Sequence, residues 1–400
     1  MSRNKIISII DNIIFACLLV YSLTFLIPMP INLLVTAFIL GLIKLFFIRP
    51  KIEIHSKHFY FLGLFIICTA ISVIFNESAS FSEYRSYYIS PLVAILLIFL
   101  FEFTKKKLLI LISSISIIFF LNGAYIIYQF CFEGIIGRLS GFADGYMLLC
   151  GMNILILPII FTLSLSKNDI PIYLRIFFFI TVFVNIPAII FENIRITWIA
   201  LGIVFPLIIL FSIKDKRKMI LSIFLLITSC FIYFQLSPMS VQRFGTITST
   251  EYKVQSNYER ILMWQSATNM FLDHPLIGVG VGNYHNEYIN KYRSSLSREN
   301  LWHPHNVFLS ILSQSGIIGG LSYIALFFYL YYKAIIDYKK IRNYISLAYI
   351  SALTAFCING LTDCNFVGHN LKEITYMFYF ITGIYLILNK HVIINNQNKR

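Results

Sequence analysis

The sequence predicts an all-α polytopic membrane protein of about twelve transmembrane helices with one large extracytoplasmic loop. Three observations predict it. Of 400 residues, 58% are hydrophobic and 12% are charged, against about 25% charged in an ordinary soluble domain. The apolar residues fall into runs close to the roughly 20 residues a helix needs to cross a bilayer. The basic residues gather between those runs, as topology signals do.

Twelve runs follow one another: 6–27, 31–48, 58–75, 87–103, 108–130, 146–166, 172–191, 196–213, 219–236, 306–332, 344–361 and 374–389. Pro28 and Pro30 separate the first two. Backbone groups in hydrocarbon must bond within their own segment, so these runs are expected to be helices. The chain thereby divides into 1–236 with nine spans, a large loop over 237–305, and 306–400 with three spans and a polar tail. Arg3 and Lys5 precede the first run, which has no small-residue cleavage site. That run is longer than the roughly 7–15 apolar residues of a signal peptide and is expected to stay as a span.

Twenty-one of the 32 Lys and Arg residues lie on the side of the two termini, in clusters such as Lys105-Lys106-Lys107 and Lys216-Arg217-Lys218. Ten lie on the other side, six of them spread through 237–305, and Lys44 is within a span. The positive-inside rule puts both termini in the cytoplasm and the loop outside, which in a bacterial inner membrane is the periplasm. The net charge of +14 is thus distributed as a topology signal and forms no basic face for nucleic acid. Five of the seven cysteines lie in spans, where thiols behave as small hydrophobes. Cys131 and Cys364 are nearer the outer face, where pairing is open to them. No Cys-x-x-Cys or Cys/His metal spacing occurs.

Long insertions between spans are where function concentrates. Residues 237–305 carry six basic and five acidic residues and four of the eight histidines. Ser256-Asn257-Tyr258-Glu259 has the form of a capping box, so a helix is expected to run from it to about Phe271, stopped by Asp273-His274-Pro275. Arg260 and Trp264, four apart, share a face of that helix. Gly278-Val279-Gly280-Val281-Gly282-Asn283 lacks the G-x-G-x-x-G spacing of a dinucleotide site. It reads as a turn that lets the backbone approach another segment.

His303-Pro304-His305-Asn306 lies where the loop re-enters the membrane. An imidazole there can accept a hydroxyl proton near neutral pH, and the positive start of the next helix favours its neutral form. The same helix start attracts anions. Arg195 begins the eighth span from the outside, beside Trp198, and reads equally as an interfacial anchor or as a functional cation. Asp363 is a carboxylate at the outer end of the eleventh span, and Trp198, Trp264 and Trp302 all sit beside these candidates. The loop has no carboxylate cluster with metal-ligand spacing and no Gly-x-Ser-x-Gly nucleophile. A diphosphate substrate would then be clamped by arginines, whose planar guanidinium matches phosphate oxygens.

The chain resembles the O-antigen ligase superfamily, which also holds O-antigen polymerases and protein O-oligosaccharyltransferases. The residues that carry the likeness are Arg195-Ile196-Thr197-Trp198-Ile199-Ala200-Leu201, the stretch from Arg260 to Tyr284, Pro304-His305-Asn306, and Leu312-Ser313-Gln314-Ser315-Gly316-Ile317-Ile318-Gly319. The likeness covers the second half of the chain. It implies an inverting glycosyl transfer with no metal or other cofactor, from a glycan carried on undecaprenyl diphosphate to an acceptor hydroxyl. It also implies that Arg195 and Arg260 bind the diphosphate and that His305 is the catalytic base, with His303, Asp363 and Trp264 in support. Two positions depart from the family pattern: Ile194 and Ile196 flank Arg195 where small residues are usual, and Gln314 stands where relatives often carry an acid. The expected reaction is ligation of O-antigen to lipid A–core. A polymerase that accepts a second lipid-linked repeat unit is the alternative. A lipid-linked sugar transporter fits less well, because the polar residues gather at the outer surface and not at the bilayer midplane.

Overall fold

A computed structural model describes residues 3–27, 31–48, 57–134, 137–166, 170–250, 255–368 and 371–397. Among them the chain is helical, with no strand. The first block is α1 (Arg3–Thr24), α2 (Ile31–Leu45), α3 (Lys57–Phe75), α4 (Phe81–Tyr84), a π-helical turn over Arg85–Ile89, α5 (Leu92–Leu100) and α6 (Lys105–Cys131). Then come α7 (Tyr146–Ser164), α8 (Ile172–Phe191), α9 (Arg195–Ser212) and α10 (Lys216–Leu236). The expected outer loop contains α11 (Pro238–Gly245), α12 (Gln255–Asp273) and α13 (Tyr284–Glu287), the last followed by a π-helical turn over Tyr288–Tyr292. The chain closes with α14 (Val307–Ile341), α15 (Tyr344–Gly360) and α16 (Lys372–Gln397).

Eight of these helices are long and apolar enough to cross a membrane: α1, α3, α6, α7, α8, α9, α10 and α14. Helices occupy the other four expected places as well. There, α2 and α15 are shorter apolar helices of 15 and 17 residues. The 87–103 run is divided by the π-helical turn and Pro91, leaving a nine-residue α5. Charged and amide residues interrupt α16 at both ends.

The helices pack around α7, which contacts α8, α9, α15 and α16. Of its membrane-length window 89% is buried, whereas no residue of α10 is. Burial on all sides explains why α7 is apolar all round: it has no polar face to show. The intramembrane charge of Lys44 is met by Asp11 at 2.6 Å, so neither is left unpaired in hydrocarbon. All seven cysteines are free; Cys364 is buried and Cys131 exposed, so they do not pair.

Two glycines shape the joint between α14 and the 275–282 turn. α14 is kinked at Gly316, whose φ of 61° and ψ of −163° are not helical. The kink frees carbonyls of the preceding turn, and the 275–282 turn takes them up. Val279 N donates to Ser313 O at 2.9 Å and Gly280 N to Gln314 O at 3.1 Å, while Ile317 N donates back to Pro275 O at 2.8 Å. A Cβ on Gly278 would lie 2.4 Å from the Gln314 carbonyl carbon, and one on Gly316 would lie 2.3 Å from Leu276. The glycine-rich stretch is thus a close backbone contact, as its spacing predicts. Gln314 closes the same joint, its Oε1 accepting from Gly282 N at 2.9 Å. A neutral amide serves that bond.

Candidate active site

Three segments meet at one end of the bundle: the 303–306 turn before α14, the 361–368 turn after α15, and the start of α12. Asn306 ties the first two together. Its Oδ1 accepts from Leu309 N at 2.9 Å, capping α14, and its Nδ2 donates to Leu361 O at 2.9 Å. That staple places His305 against Asp363, with Nδ1 3.3 Å from Oδ1. The His305 backbone is held at a φ of 49°, in the left-handed region that costs an L-residue roughly 1–2 kcal/mol. Its backbone N donates to His303 Nδ1 at 3.3 Å, and the two rings meet edge to face at 4.4 Å.

Asp363 is buried, and its Oδ1 also accepts from Cys364 N at 2.9 Å. Burial alone would raise its pKa. The His305 hydrogen bond and the neighbouring His305, His303 and Arg260 charges outweigh burial and hold it below the ordinary carboxylate range. Facing a carboxylate, His305 Nδ1 carries the proton in the neutral ring. Its Nε2 then keeps a lone pair, the form a general base needs.

His303 and His305 line a cavity of about 570 Å³ together with Arg138, Arg260, Trp302 and Glu299. The indole of Trp302 stacks on His285 at 3.8 Å. Asp144 and Glu373 add carboxylates to the same wall. A second cavity of about 90 Å³ is lined by Arg138, Arg195, Arg243, Arg260 and Asp363. Arg138, Tyr146 and Arg260 belong to both, so the two are neighbouring compartments with shared walls.

The four arginines differ in how far they are committed. Arg195 is buried, and its guanidinium donates to Thr246 O (2.9 Å), Ser256 Oγ (2.6 Å) and Asn257 Oδ1 (2.8 Å). It pins the segment leading into α12 and is no exposed anchor; Trp198 beside it is likewise buried, its Nε1 donating to Ile189 O at 2.8 Å. In contrast, the Nε groups of Arg243 and Arg260 are buried without a partner. Burial and the Arg138, Arg195 and Arg260 charges push Arg243 down to about 10. Burial also lowers Arg260, with Asp363 working against that shift. Arg138 lies over the Tyr146 ring at 4.6 Å. Several guanidinium groups around one small cavity, some with unused donors, form a site that favours a polyanion.

Of the residues predicted from sequence, Arg260, His303, His305 and Asp363 are brought together. Arg195 reaches the arginine cavity with its donors already engaged. Trp264 does not line either cavity, and its indole Nε1 is buried without a partner. The capping box is corrected: α12 begins at Gln255, Ser256 Oγ accepts from Arg195, and Glu259 accepts from Ser297 Oγ (2.7 Å) and Arg298 N (2.8 Å). Arg138 and Arg243 were missed as individuals. Their signal lay in the charge count, because both are among the ten basic residues on the side that carries few.

A family model described as O-antigen ligase matches residues 180–324. The match runs from the second half of α8 to the first half of α14 and takes in Arg195, Arg243, Arg260, His303 and His305. No curated protein matches the chain. The apolar helices make this a multi-pass membrane protein, and its 180–324 stretch is similar to membrane enzymes of the O-antigen ligase and polymerase kind.

Proposed function

We propose that the chain is a metal-independent inverting glycosyltransferase that joins a glycan from undecaprenyl diphosphate to a hydroxyl of lipid A–core. It would work at the periplasmic face of the bacterial inner membrane, with both termini cytoplasmic. In this reading His305 Nε2 takes the proton of the acceptor hydroxyl while Asp363 holds the ring through Nδ1. The acceptor oxygen bonds to the anomeric carbon from the face opposite the leaving group. The bond from that carbon to the diphosphate oxygen breaks, and the electron pair leaves on the diphosphate. Arg260, Arg138 and Arg243 bind the phosphate oxygens and stabilise the charge as it develops, the kind of preorganised contact whose loss costs about 10²–10³-fold. Arg195 adds charge and keeps the α12 entry in place.

The observation that carries this reading is the shared wall: His305 and Arg260 line the larger cavity, and Arg260 also lines the arginine cavity. A sugar beside Trp302 in the first would have its diphosphate in the second. The test is transfer by the reconstituted protein, with one lipid-linked donor and two acceptors, lipid A–core and a second lipid-linked repeat unit, with and without a chelator. Chelator-resistant product on lipid A–core is expected. Ladder growth on the polyprenyl carrier alone would replace the ligase reading with the polymerase one.

A further inference from the structure

The end of the bundle farthest from His305 holds a larger cavity, of about 1140 Å³. It exists because α10 is attached loosely: it contacts α8, α9 and α11, and none of its residues is buried. The gap between α10 and the far ends of α14 and α15 has an apolar wall that includes Phe211, Leu221 and Leu225. Five cations line it as well: Arg175, Lys214, Lys218, Lys339 and Arg342, against one carboxylate, Asp215. That carboxylate is spent on capping α10, its Oδ1 accepting from Arg217 N (2.9 Å) and Lys218 N (3.3 Å). Among the described residues none of the five cations is in an ion pair. Arg342 ends α14 at a φ of 49°, so a bulky charged residue occupies a backbone conformation more at home with glycine.

Cations at a helix end are an ordinary topology signal, but here they ring a cavity whose other wall is hydrocarbon. A free anion would leave that wall wet, and a zwitterionic lipid would leave the positive charge unbalanced. We propose that this cavity binds an anionic diacyl phospholipid of the adjoining leaflet, its phosphate among the five cations and its acyl chains along Leu221 and Leu225. Basic pockets between spans on this side of a membrane protein recognise such headgroups.

The test is native mass spectrometry of the full-length protein in detergent, titrated with dioleoylphosphatidylglycerol, dioleoylphosphatidylcholine or inorganic phosphate. The phosphatidylglycerol adduct is expected to persist where the phosphatidylcholine adduct does not, and millimolar phosphate is expected not to displace it. Replacing Lys214, Lys218 and Arg342 together by Gln is expected to weaken binding by ~100-fold, about fivefold for each cation. Replacing Lys105, Lys106 and Lys107 by Gln removes the same charge elsewhere on that side and is expected to leave binding unchanged. Leu221→Trp with Leu225→Trp fills the apolar wall and is expected to exclude the lipid with every charge intact. Equal affinity for the two lipids, full displacement by phosphate, or an equal loss in the Lys105–Lys107 variant would each overturn the proposal. If the cation variant does not insert, lipid selectivity of the unmodified protein and the tryptophan variant still decide it.

Discussion

Glu192 and Asp363 are both buried carboxyl groups near the end of the bundle that carries His305, and their surroundings shift them in opposite directions. Glu192, between α8 and α9, has 0% exposure and a single kind of partner, the Asn153 amide at 3.1 and 3.3 Å. Burial raises it well above the carboxylate range, and one amide only partly offsets that, which favours the neutral acid. Asp363, at 3% exposure, has an imidazole in hydrogen-bonding contact and a guanidinium nearby. It stays ionised. The region around Glu192 is a neutral polar core: Cys150 Sγ meets Thr197 Oγ1 at 3.0 Å, and Asn359 Nδ2 donates to Cys150 Sγ at 3.3 Å. The region around Asp363 is built to hold charge, and only that kind of region can stabilise charge that moves during a reaction.

Substitutions that exchange the two behaviours test the contrast. His305→Ala is expected to cut transfer by about 10²–10⁴-fold while the protein still inserts, since it removes the base. Normal transfer would end that assignment. Arg260→Ala follows at about 10²–10³-fold, seen in turnover because the contact tightens on the leaving group. For Asp363→Asn the expected loss is about 10²-fold, because an amide can present its N–H to His305 and invert the tautomer; a pH–rate profile reads this out. Arg243→Ala, with a guanidinium farther from the reacting carbon, should raise the donor KM by about tenfold, one lost charge-assisted phosphate contact.

The smallest change in transfer is expected from Glu192→Gln, which replaces a neutral acid by a neutral amide and should stay within about twofold. Stability against pH separates the two carboxyls most cleanly. Because the folded value of Glu192 is raised, wild type loses stability relative to Glu192→Gln as pH rises above about 4.3. Because the folded value of Asp363 is lowered, its contribution is complete above about pH 4 and fades as pH falls through that folded value. The deficit of Asp363→Asn should therefore shrink in acid. Thermal unfolding in detergent between pH 3 and 8 measures both slopes.

Hydropathy made the helices legible, because a bilayer demands long apolar segments with internal hydrogen bonds. It did not show that 87–103 is divided by a π-helical turn, since apolar composition does not register a break in the hydrogen-bond ladder. His305 and Asp363 were each readable as polar residues at membrane re-entry points, but their pairing joins positions 58 residues apart and needed the Asn306 staple to Leu361. Local pattern misled at Ser256 and Glu259, where tertiary partners took both side chains away from a cap. Arg138 and Arg243 escaped notice for a related reason: neither stands in a local motif, Arg138 being the lone cation of its loop and Arg243 one of six in 237–305, and only folding gathers them around one cavity with Arg195 and Arg260.

The central claim is that the donor's phosphates sit among Arg138, Arg243 and Arg260, with the anomeric carbon toward His305. A polyprenyl-diphosphate donor analogue with a diazirine beside the diphosphate tests this directly, by photocrosslinking and mapping of the labelled peptides. Labels within 138–147 and 243–263 are expected. Labels confined to 214–218 and 339–342, at the opposite end of the bundle, would contradict it.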